Sequence, residues 1–157
     1  MSDLYLTLKL THILGSAVLF GTGLGIAFFM LMAHRSRNPA VIAHTARIVV
    51  IADVVFTATA VVVQPITGMG LAWMAGYPIH HFWIGGSVAL YVLVGLCWLP
   101  VVWIQLQLRN LAAGAARENA VLPERYFKLF RIWFWLGWPA FGGVIAIFAL
   151  MIWKPVF

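Results

Sequence analysis

Residues 10–33, LTHILGSAVLFGTGLGIAFFMLMA, run from Leu10 to Ala33 without one formally charged side chain. A helix rises ~1.5 Å per residue, so an apolar run of roughly 20 residues spans the ~30 Å hydrocarbon layer of a bilayer. This stretch satisfies that length inside a longer segment, about 4–33. Three others match it. Residues 41–64 are interrupted by Arg47 and Asp53, residues 82–108 carry no charge, and residues 127–153 are entered through Lys128 and Arg131. The expected fold is therefore an all-α membrane protein, a four-transmembrane-helix bundle forming one domain over residues 1–157.

Composition agrees. Of 157 residues, 64% are hydrophobic, 15% aromatic and 9% charged, and the mean hydropathy is +0.99. A soluble domain carries about 25% charged residues, so a water-soluble enzyme is excluded. The net charge of +6 fits basic loops against anionic lipid rather than nucleic acid. One cysteine, Cys97, leaves no internal disulfide and no CxxC framework. The start MSDLYLTL lacks the basic n-region of a cleavable signal.

Charge placement orients the bundle. Arg35, Arg37 and Arg47 flank the first loop; Arg109, Arg117, Arg125, Lys128 and Arg131 flank the third; Pro65 to His81 holds no Lys or Arg. By the positive-inside rule both basic loops are cytoplasmic and both termini lie outside, on the periplasmic side of a bacterial inner membrane. In SRNPA, Asn38 and Pro39 read as a turn and helix start. QPITGMG is expected to end the second helix at Pro65, leaving residues 66–79 as an apolar outer loop able to act as a lid. AAGAARENAVLPE reads as a helical extension followed by a proline turn. The Gly21–Gly25 GxxxG, with Gly85, Gly86, Gly142 and Gly143, reads as helix-packing surface or as room for a flat ring system.

Ionisable groups at membrane depth are costly and mark function or pairing. Lys9 and His12 lie three apart on one face of the first helix. His80 and His81 open the third helix, on the side where the first begins. An imidazole from each makes His12 and His81, or His80, candidate ligands of a haem b iron, the usual arrangement in membrane four-helix bundles. Trp73, Tyr77, Phe82 and Trp83 would wall it. An interfacial aromatic and histidine belt accounts for the same residues. His34 reads as solvated among arginines, and His44 with Arg47 as a lipid-phosphate contact. Asp53, with Thr57 and Gln64 on its face, is expected to pair with Arg131 or to serve as a protonatable carboxylate, which makes Asp53, Arg131 and Lys9 the candidate catalytic groups. No GxGxxG, P-loop, GxSxG or HExxH is present.

KLTHILGSAVLFGTG, with Lys9, His12, Gly21 and Gly23, resembles the first helix of the HemJ-type protoporphyrinogen oxidases. The closing FRIWFWLGWPAFGGVIAIFALMIWKPVF, with Arg131, Pro139, Lys154 and Pro155, resembles their last segment, and QPITGMGL their turn after helix two. The whole chain resembles more closely a bacterial family of integral membrane proteins, domain of unknown function 2269, itself taken as a relative of the HemJ and copper-resistance-D types. The resemblance implies a haem b with His12 as axial ligand and redox chemistry on or near a porphyrin. HemJ proteins open their third helix with a lysine; HHFWIGG here substitutes His80 and His81, which favours bis-histidine ligation.

The leading expectation is thus a haem b electron-transfer protein working with a quinone or other respiratory-chain partner, with Lys9 on a propionate. A HemJ-like protoporphyrinogen IX oxidase, with a porphyrin substrate, is the enzymatic alternative. A cofactor-free small subunit of a larger membrane complex, or a homo-oligomer, is the third.

Overall fold

The computed structural model describes residues 3–78 and 80–155; the ends of the expected 1–157 domain, and Ile79 of the expected lid, lie outside them. Four helices, each long and apolar enough to cross a membrane, account for almost all of it: α1 Asp3–Ser36, α2 Pro39–Met74, α3 Phe82–Arg117 and α4 Glu124–Trp153. No strand occurs among the described residues. The expected four-helix membrane architecture is borne out.

The turns follow local chemistry. Asn38 caps α2, its Oδ1 accepting from Ala40 N at 2.9 Å and Val41 N at 3.4 Å, and Pro39 occupies the first turn, where a missing N–H costs nothing. Asn119 turns the chain out of α3 with φ 50°, and Pro123 precedes α4. These two connections form a basic face. At the opposite, terminal face, Leu8 lies against Gly70, and the Lys154 ammonium sits 5.0 Å from the Tyr77 ring and 5.4 Å from that of Trp83. Both chain ends and the short 75–81 connection therefore share one side.

Two expectations are corrected here. α2 does not stop at Pro65 but runs to Met74, so residues 66–74 are helix and no 66–79 lid exists. A proline inside a helix orphans the carbonyl four residues earlier, here Val61. The Tyr91 hydroxyl of α3 donates to that carbonyl, the kind of substitute partner that makes proline tolerable in a spanning helix. Second, the GxxxG is not the packing surface. A methyl group added at Gly21, Gly23 or Gly25 would meet no side chain. Close approach occurs instead at Gly143, where a Cβ would stand 2.6 Å from Val94 Cγ2, and at Gly86, 3.2 Å from Leu150 Cδ1. The α3–α4 contact is the most extensive in the fold.

The apolar core occupies the half of the bundle nearest the basic face, where Met30, Ala46, Val49, Leu108, Phe130 and Trp133 bring all four helices together. In the terminal half the helices associate in pairs. α1 packs along α2 past the π-helical turn Asp53–Thr57, α3 packs on α4, and Phe20 reaches from α1 to Phe141 and Phe148 of α4.

Candidate functional site: a polar stripe at membrane depth

Helix geometry puts positions 53, 57, 60, 64 and 67 on one side of α2. All five are buried, and four are polar: Asp53, Thr57, Gln64 and Thr67. A spanning helix in lipid otherwise turns polar side chains away from its surroundings, so this stripe faces the bundle interior.

At its terminal end the stripe meets His12. His12 Nδ1 lies 2.9 Å from Thr67 Oγ1, and Gln64 Nε2 donates to the His12 carbonyl at 2.8 Å. Two glycines allow this closeness. A Cβ at Gly68 would stand 3.1 Å from His12 Cε1, and one at Gly15 would collide with Gln64 Nε2. The Thr67 hydroxyl has a single proton, and Val63 O accepts it at 2.8 Å. Nδ1–H is then the donor to Thr67 Oγ1, and Nε2 keeps its lone pair.

At the other end, Asp53 opens the π-helical turn. There the Ala58 N–H reaches back to Asp53 O rather than to Val54 O, which inserts an extra residue into the turn. Asp53 Oδ1 accepts from Trp98 Nε1 at 3.2 Å. The Thr57 hydroxyl lies beside the carboxyl, yet neither Thr57 Oγ1 nor Asp53 Oδ2 completes a hydrogen bond. Thr7, Thr11, Thr59 and Thr67 each hand their hydroxyl to the carbonyl four residues back. Thr57 does not.

Other expected residues are placed differently. The Asp53–Arg131 ion pair is not formed: Arg131 is exposed, and among the described residues the ion pair found is Lys128–Glu124, at 2.9 Å on the surface. Asp53 lies toward α3, whose Trp98 serves it, while Arg131 sits on the outward side of α4. His80 and His81 precede α3 instead of lying within it; His80 is exposed and half-buried His81 is the residue before the first turn. His12 sits beside Thr67, and α2 continues to Met74, so His12 lies about 10 Å below the connection that carries the histidine pair. The expected equal depth is not found. Lys9 is exposed, three residues toward the terminal face. His34 is not solvated. Its ring stacks on Phe130 at 3.7 Å and 6°, with Nδ1 3.3 Å from Tyr126 Oη. His44 and Arg47 are exposed near the basic face, as a lipid contact requires.

Trp98, Tyr91 and Thr67 had no place in the sequence reading. Tyr91, Trp98 and Gln105 recur at seven-residue spacing on α3, a polar line down one face of a charge-free helix. Thr67 emerges once α2 is carried past Pro65.

A family profile described as predicted integral membrane protein (DUF2269) matches residues 6–155. The chain belongs to this family. The match covers all four helices and the whole polar stripe, and its description names the membrane and no activity. No curated protein and no solved structure matches the chain.

Proposed function

We propose that this member of the family binds haem b in its terminal half, with His12 supplying the iron ligand, and serves electron transfer in the membrane. One observation carries the reading: the His12 ring is fixed through Nδ1 by Thr67, which leaves Nε2 as a free donor. Histidines that bind metal almost always commit the other ring nitrogen in this way, because the second bond sets tautomer and orientation. Gly68 keeps the space beside the ring clear, and the open surface at Gly21 and Gly25 on the same helix leaves room for a flat macrocycle. Lys9, on the His12 face and nearer the headgroups, suits a propionate.

The fit is specific to His12. His80 and His81 lie about two helical turns nearer the surface and would reach the second axial position only if the 75–81 connection moved inward. Haem, when bound, supplies a one-electron couple at membrane depth. The chain's own residues orient the imidazole, exclude lipid and hold a charge at the terminal face. Eight of the ten basic residues lie in or beside the other face. That places it in the cytoplasm and the site near the periplasmic side of a bacterial inner membrane, within reach of a quinone.

Purified protein supplied with haem is expected to give a pyridine haemochrome of one b-type haem and a reduced-minus-oxidised Soret difference. Both are lost in His12→Ala and kept in His80→Ala and His81→Ala. A wild type that takes up no haem overturns the reading and leaves the cofactor-free subunit. A second reading has one observation in its favour. Ligation by His12 alone leaves an open iron position, which suits a HemJ-like oxidation of protoporphyrinogen IX better than pure electron transfer. Rescue of a strain lacking that oxidation separates the two.

A further inference from the structure

We propose that the buried stripe of α2 is a proton half-channel that connects the terminal face to Asp53, and that Asp53 is held there as a neutral carboxylic acid. The inference does not rest on haem. It rests on three features of the stripe.

The first is the carboxyl itself. Asp53 is 3% exposed in the middle of a spanning helix. It receives one hydrogen bond, from a neutral indole, and no cation bonds to it among the described residues. A carboxylate so placed would lose its hydration and gain almost nothing, so the group retains its proton. The second is the unfinished bonding. Asp53 Oδ2 and Thr57 Oγ1 are buried side by side with no partner. The π-helical turn is the cause, because it hands the Asp53 carbonyl to the Ala58 N–H and releases the Thr57 hydroxyl from its ordinary backbone bond. Adjacent unpaired polar atoms of this kind are where proteins hold buried water.

The third is spacing. Asp53, Thr57, the Val61 carbonyl with the Tyr91 hydroxyl, Gln64, and Thr67 with His12 follow one another at three or four residues along α2. Each step is about 4.5–6 Å of helix rise, a gap one water molecule bridges. Beyond Asp53 toward the basic face the line gives way to the apolar core of Val49, Ala46 and Ile42. The path therefore opens at the terminal face and ends at the carboxyl. A proton entering from water at that face displaces one along the chain, and one proton leaves Asp53 for each that arrives.

Infrared spectroscopy of the full protein in lipid nanodiscs tests this directly. The carboxylic-acid C=O stretch of a buried acid should be present at neutral pH in wild type and absent in Asp53→Asn. On transfer to D2O the band should shift as the carboxyl proton exchanges. Thr57→Val, which keeps shape and removes the hydroxyl, should slow exchange about tenfold or more, and Thr67→Val likewise, whereas Thr57→Ser should exchange as wild type does. Gln105→Leu, on the basic side of Asp53, should leave the rate unchanged. A carboxylate band at Asp53 in wild type overturns the proposal. So does unaltered exchange in both valine variants, or slowing in Gln105→Leu without slowing in Thr57→Val. Because none of these readouts requires a cofactor, a haem-free preparation answers the question equally.

Discussion

The two halves of the bundle are built on opposite principles. Near the basic face, Met30, Ile42, Leu108 and Tyr126 are fully enclosed, and the histidine found there, His34, is absorbed by stacking on Phe130. Near the terminal face the buried positions of α2 are Gln64 and Thr67, and the histidine there, His12, keeps a ring nitrogen uncommitted. Lipid tails are as apolar as leucine, so helices gain little from merely hiding hydrophobic surface and associate through close packing and interhelical hydrogen bonds. The basic half uses the first and the terminal half the second. The difference separates the part that holds the bundle together from the part that is available for chemistry.

If that division is right, truncations should be most costly in the basic half. Phe130→Ala removes a buried ring that touches His34, Tyr126 and Trp133. It is expected to destabilise by about 3–5 kcal/mol, read from unfolding in mixed micelles. Trp73→Ala, in the terminal half on a side chain that is 84% exposed, should change stability by no more than about 0.5 kcal/mol. Equal losses would erase the contrast.

Glycine substitutions sharpen it along the pairing of helices. Gly143→Ala forces a methyl group against Val94 and should cost about 1–3 kcal/mol. Gly21→Ala and Gly25→Ala meet open space and should be neutral or stabilising by up to about 1 kcal/mol, through helix propensity alone. A Gly21→Ala variant as damaged as Gly143→Ala would show that a surface outside the chain packs on α1.

Much of this was legible in the residues. The charge-free runs and the Asn38–Pro39 start led straight to four helices, because solvent choice and capping are local properties. Asp53, Thr57 and Gln64 announced one face by spacing alone. What the sequence did not carry was the partner of each polar group. Arg131 was the reasonable mate for Asp53 by charge, but rotation about α4 decides whether it points inward, and an indole seven residues below Tyr91 took the place. Pro65 misled for a related reason. A proline ends a helix when its orphaned carbonyl has nowhere to go, and the donor that rescued it lies on another helix, at Tyr91. The GxxxG likewise describes a surface able to pack closely, and whether a neighbour arrives depends on the other three helices.

The smallest expected effect tests that rescue and, through it, the idea that hydrogen bonds hold the terminal half together. Tyr91→Phe keeps the ring and deletes the donor to the Val61 carbonyl. The loss should be about 1 kcal/mol, since an interhelical hydrogen bond within a membrane protein contributes modestly and the carbonyl keeps some access to its own helix. Pro65→Ala restores an N–H at the position where the ordinary helical bond to Val61 would form. In that background Tyr91 competes with a native donor, so Tyr91→Phe should cost much less than it does beside proline. The coupling between the two positions in a double-mutant cycle is the measurement. Additive effects would mean that α2 continues past Pro65 for a reason unconnected with Tyr91, and that the terminal half is joined to α3 by packing after all. Strong coupling would instead make a single phenol the reason that Thr67 reaches the helix face it shares with Asp53, and hence the reason that His12 has a partner.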